Sequence, residues 1–114
     1  MPQPSHPSPS VTLVQSWSGC QVTATYEWSG FKGADGSVAA EIRIYMNGNL
    51  EGSSGTTIVS NPSGGSQATT FGTDPSPSNN DFVVDARLVR LNNGRTVRGS
   101  LRTSSVQSQP CFAD

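Results

Sequence analysis

Ten consecutive residues, "CQVTATYEWS" at 20–29, alternate without a break. Cys20, Val22, Ala24, Tyr26 and Trp28 fall on one side; Gln21, Thr23, Thr25, Glu27 and Ser29 fall on the other. A repeat of two is that of a pleated strand with one buried and one wet face. The pattern returns at 38–47. There Val38, Ala40, Ile42, Ile44 and Met46 point inward, while Ala39, Glu41, Arg43, Tyr45 and Asn47 point outward. "KGADGS" turns the chain between the two runs, and "NGN" at 47–49 turns it again.

The rest of the chain supports the same structural class. Its 114 residues suffice for a single domain, of which 32% are hydrophobic and 13% charged. Ser, Thr, Gly, Asn and Pro fill the difference, a balance that suits short strands joined by turns. Residues 1–10, "MPQPSHPSPS", carry four prolines and read as a solvated linker or tail, which leaves 11–114 as the domain. Met1 followed directly by this segment looks like a start residue placed on a fragment of a longer protein. "VTLVQSW" at 11–17 gives an initial strand. "TTIVS" and "SQATTF" give two short ones separated by "NPSGG", and "GTDPSPSNN" ends the second as a loop. In the last third Asn93-Gly94 marks a two-residue hairpin. That tip places Phe82, Val84, Ala86 and Leu88 opposite Ser105, Thr103, Leu101 and Gly99, with Asp85 facing Arg102. About seven antiparallel strands and no helical period predict an all-β sandwich.

Cys20 and Cys111 are the only cysteines. The count alone suits two thiols as well as a bridge. Low Lys and Glu content with abundant Ser and Thr resembles an exported protein, which favours a disulfide. No stretch is long and apolar enough to span a bilayer, and no signal peptide is evident.

Three segments together resemble a fibronectin type III or related immunoglobulin-like module. "VTATYEW" is similar to that family's second strand with its core Trp, here Trp28. "AAEIRIYMNG" is similar to its third strand, and "DFVVDARLVRLNNGRTVRGS" to its sixth strand and following turn. The opening strand lacks the family's usual Pro-rich look. The resemblance implies that Cys20 and Cys111 lie at the same end of the sandwich, so that a bridge staples the C-terminus to the turn after the first strand. That is not the inter-sheet bridge of antibody domains.

Catalytic chemistry finds little footing. The one histidine, His6, lies in the Pro/Ser tail; Glu27 and Glu41 point outward from separate strands; no Gly-rich phosphate loop opens a helix. The expectation is no catalytic residue, no cofactor and no metal. Asp74, Asn79, Asn80 and Asp81 in one loop, with Asp35 in another, are the nearest thing to a calcium site, and turn chemistry accounts for them.

Residues 85–102 hold five of the seven basic residues, yet the formal net charge is −1. Acids interleave with these arginines and no aromatic lies between Phe82 and Phe112, so nucleic acid is not expected. Arg43, Tyr45, Arg87, Val89 and Arg98 are the candidate binding residues. They mix arginine, tyrosine and apolar side chains on one outer sheet face, as contact surfaces do. Strand propensity and solubility explain the same residues without a ligand. Trp28 reads as core; Trp17 either covers the disulfide or stacks on a sugar ring. The expected protein is a non-enzymatic extracellular module of a larger exported or cell-surface protein, monomeric alone and not inserted in a membrane. It would act as a spacer or as an adhesion module toward a protein or glycan. The alternatives are an accessory carbohydrate-binding module of a secreted polysaccharide-degrading enzyme and a structural domain of a phage or other particle.

Overall fold

The computed structural model describes residues 9–31, 38–59 and 64–112. The turn "KGADGS" with Asp35, the tail through Ser8 with His6, and most of "NPSGG" lie outside them. Nine strands run through the described residues: β1 (Ser10–Ser18), β2 (Gln21–Ser29), β3 (Val38–Met46), β4 (Asn49–Ser53), β5 (Thr57–Val59), β6 (Gly64–Gly72), β7 (Ser76–Arg90), β8 (Arg102–Thr103) and β9 (Gln107–Cys111).

All pairings are antiparallel and form two sheets. One has the order β1-β2-β6; the other has β4-β3-β7-β8, with β5 also on β3 and β9 also on β7. The chain is therefore an all-β antiparallel sandwich, as its alternation predicts. Val22, Ala24, Tyr26 and Trp28 of β2 face Val38, Ala40, Ile42 and Ile44 of β3 and Phe82, Val84, Ala86 and Leu88 of β7 in one core. Asn47-Gly48 joins β3 to β4 with both residues left-handed, φ 51° and 85°, as a type I′ turn requires.

One set of side-chain contacts joins the layers, and another seats β6 against β2 within its own sheet. On the β1 side, Gln15 Nε2 donates to Ser104 Oγ (3.1 Å) and to the Ser105 carbonyl (3.0 Å). Its Oε1 accepts from Trp17 Nε1, and the Trp17 ring lies 4.6 Å from that of Phe82. On the β6 side, the Trp28 indole lies flush on Gly65. A Cβ at that position would come within 2.5 Å of the ring, so only glycine lets the two approach.

Three expectations need correction. Residues 76–80 are not a loop but the start of β7, held by β9 alone because β3 pairs only from Phe82 onward. Pro77 is tolerated there because that stretch lacks a partner on one side and the β9 ladder is irregular. Second, Asn93-Gly94 is not a two-residue tip. Gly94 alone is left-handed, the loop runs from Leu91 to Gly94, and Arg90 N–H bonds the Arg95 carbonyl. Third, the return strand slips. Val89 bridges Thr96, but Ala86 pairs with Arg102 and Asp85 with Thr103, so three residues are looped out between them. Leu101 and Thr103 are accordingly exposed rather than inward, and Asp85 does not face Arg102.

The slip has a polar cause. Ser100, fully buried, fills the ladder gap. Its Oγ accepts from Leu88 N–H (3.1 Å) and lies 2.6 Å from the Val97 carbonyl, while its own carbonyl accepts from Tyr26 Oη at 2.6 Å. Burial pushes the Tyr26 phenol well above its ordinary value, and this hydrogen bond pulls back only in part. Tyr26→Phe leaves a buried carbonyl unpaired, for an expected loss of about 1–3 kcal/mol in urea unfolding. A phenol whose folded pKa exceeds its unfolded one stabilises fully below pH ~10 and loses that contribution above it. Wild-type stability should thus fall more steeply than that of Tyr26→Phe above pH ~10; parallel curves would refute the assignment.

Candidate functional site

The outer face of β3 and β7 carries the residues singled out above. In register, Ala39 lies opposite Val89, Glu41 opposite Arg87, Arg43 opposite Asp85 and Tyr45 opposite Val83. Cross-strand neighbours of opposite charge attract, and here each arginine finds one. Arg43 grips Asp85 at two points, Nε to Oδ1 at 2.9 Å and Nη2 to Oδ2 at 3.1 Å. Arg87 Nε donates to Glu41 Oε1 at 3.1 Å, and its Nη1 donates to Thr96 Oγ1 at 2.8 Å. The hydrogen bond to Asp85 raises the Arg43 pKa above its ordinary value, so this cation is permanent. Arg43 Cζ also stands 5.8 Å from the centre of the Tyr45 ring. Burial, then the charge of Asp85, raises the pKa of Tyr45.

The face is therefore a closed checkerboard. Two cations and two anions pair off, and the four side chains are only 13–27% exposed. Partly shielded pairs of this kind contribute modestly to stability, roughly 1 kcal/mol or less each. They also leave little unsatisfied charge for a ligand.

The structure brings Arg43, Tyr45 and Arg87 together as expected. Val89 has the right register but only 5% exposure, and Ala39 beside it has none, so the apolar exposure at that end of the face comes from Ile58, opposite Ala39 on β5 and 67% exposed. The outward phase of a strand is a steric fact; whether a residue there meets water depends on what lies over the sheet. Arg98 is off the strands altogether, in the looped-out segment between Thr96 and Arg102, and is exposed. Residues that sequence reasoning missed are Glu41 and Asp85 as the partners of the arginines, Thr96, and Ser100. Gly99-Ser100 inside a run otherwise read as strand was a signal for a bulge.

Other candidates disperse. Glu27 is on β2 and Glu41 on β3, on the outer faces of different sheets. Asn79, Asn80 and Asp81 belong to β7 rather than to a loop. Asn80 Oδ1 accepts from Asn47 Nδ2 at 3.0 Å, Asp81 N–H donates to Asn47 Oδ1 at 2.9 Å, and Ser108 Oγ donates to the Asp81 carboxylate. Trp28 is core. Trp17 is half-buried on Phe82 with its indole N–H already bonded to Gln15. A shallow groove of about 300 Å³ lies beside Trp28 between β5 and β6; Thr57, Ile58, Ser66 and Gln67 help line it, and its wall holds no titratable group.

At the far end of the molecule Cys20 and Cys111 form a disulfide, with Cα atoms 5.0 Å apart. Thr73 N–H bonds the Cys20 carbonyl at 2.8 Å, and its Oγ1 lies 3.4 Å from Cys111 Sγ. The bridge thus ties β9 to the β1–β2 turn, where the resemblance placed it.

Among the described residues no helix is long and apolar enough to cross a membrane. Comparisons with protein-family models, with curated proteins and with solved structures returned no match. Fold and site define a disulfide-stapled antiparallel β-sandwich with a self-neutralised outer face.

Proposed function

We propose that this chain is a non-enzymatic, immunoglobulin-like or fibronectin type III-like module of a larger exported protein, and that it serves as an extracellular spacer. The path of the chain through the sandwich carries this reading. The chain enters at Ser10, paired with Ser29 at one end of β1, and leaves at Cys111, bridged to Cys20 at the other. A domain entered and left at opposite ends holds its two flanking segments apart. The strand order β1-β2-β6 and β4-β3-β7-β8 supports the module type, and the disulfide supports an oxidising compartment. The arginines of the β3–β7 face, bound to their own neighbours, favour a spacer over a recognition surface.

The oxidised domain is to be screened on a glycan array and in pull-downs from cell-surface material, beside a variant with Arg87→Ala and Tyr45→Ala together. The expected result is no saturable binding by either folded protein. A specific hit lost in the variant would replace the spacer reading with a recognition module centred on that face.

A further inference from the structure

We infer that the oxidised domain is an inextensible strut: the covalent path between its two ends runs along β1 and through Cys20–Cys111, and the strands from β2 to β8 lie outside it. The use of such a strut rests on the spacer reading, whereas its mechanics rest on geometry alone.

Strand β1 is nine residues long and fully laddered to β2 from Ser10 opposite Ser29 to Ser18 opposite Gln21. Two residues later the chain reaches Cys20, whose partner lies 91 positions on as the last residue of β9. The exit is beside the same turn, since the Phe112 carbonyl oxygen lies 3.8 Å from where a Cβ on Gly19 would stand. The covalent path from Ser10 to Phe112 is therefore β1, a short turn, one disulfide and one further peptide unit. Everything from β2 to the start of β9 hangs beside it as a closed loop.

A strand rises about 3.3 Å per residue against a limit of about 3.6 Å. Strand β1 is thus almost taut in the folded state. Peeling it from β2 and straightening the turn lengthens the path by only about 10 Å, whatever becomes of the ladders. Without the bridge the same two ends are joined by the whole chain, and unfolding lengthens the path by roughly 300 Å. Folding stability sets the extension of the reduced domain; covalent bonds set that of the oxidised one.

Single-molecule stretching tests this, with handles ligated enzymatically to the two chain termini so that no new thiol is introduced. Oxidised protein, its bridge verified by mass spectrometry, should show no extension step longer than about 30 Å. The same molecules after tris(2-carboxyethyl)phosphine should show one step of roughly 300 Å. A variant with Cys20→Ser and Cys111→Ser, where it folds, should reproduce the reduced trace; reduction in place covers the case where it does not fold. A long step in oxidised protein overturns the inference, and so does a reduced trace as short as the oxidised one. Either result leaves the spacer reading standing, whereas a specific ligand found in the binding screen removes that reading and leaves the covalent path intact.

Discussion

Replacing Cys20 and Cys111 together by serine is expected to lower the unfolding free energy by roughly 4–5 kcal/mol, the loop-closure entropy of a bridge across a separation of 91. A domain of this size has roughly 5–15 kcal/mol in total, so the loss takes from about a third to nearly all of it. In the folded state the bridge also anchors β9, which is otherwise weakly held. Its ladder to β7 is interrupted between Ser76 and Asn80, and only Cys111, of its five residues, is buried. Urea titrations of the oxidised protein, the reduced protein and the double variant measure the difference. Agreement between the last two assigns the effect to the cross-link. A larger loss in the variant assigns the excess to a serine hydroxyl at the buried Cys111 position. A difference below about 1 kcal/mol would mean that strand pairing alone orders the C-terminus, against the chain-entropy account.

Phe82→Ala should cost about 3–5 kcal/mol, the range for removing a large aromatic from a closed core. Phe82 is 1% exposed, sits opposite Met46 on β3 and Gln107 on β9, and meets the Trp17 ring from the other sheet at 4.6 Å. The cavity would therefore open between the layers, where partial collapse requires the two sheets to move. Trp17 loses its ring partner in this variant, so its fluorescence should shift to the red even where the protein stays folded. Leu101→Ala is the matched control, because Leu101 is 54% exposed and its loss should fall within about 0.5 kcal/mol. Equal effects for the two substitutions would show that the sheets are not held together through Phe82.

The contrast between these side chains bears on what could be read beforehand. Phe82 was legible as core because it alternates with Val84, Ala86 and Leu88 on one strand. Leu101 was assigned inward by extending a hairpin register from Asn93-Gly94, and that register failed within a few residues. A turn fixes pairing only until the first bulge, and Ser100 makes one by substituting a hydroxyl for a ladder hydrogen bond. The same error misassigned Asp85. Its position beside a basic partner was foreseeable, but the partner is Arg43, 42 positions away on β3, and not Arg102. Residues 76–80 were hidden for another reason. Pro, Ser and Asn carry a turn signal in isolation, and only the exposed, irregular pairing of early β7 makes that composition acceptable in a strand.

By itself the sequence determined the all-β class, the buried face of β2 and β3, the Asn47-Gly48 turn and the core half of β7. These are local properties: a period of two and a positive-φ turn arise from the steric preferences of neighbouring residues. Only the tertiary structure decided which strands lie side by side, and with that the Arg43–Asp85 and Arg87–Glu41 pairs, the shielding of Val89 and the closure of Cys20 onto Cys111. Contacts between distant segments depend on how two whole sheets fill one core, and a one-residue change of register moves every side chain to the other face.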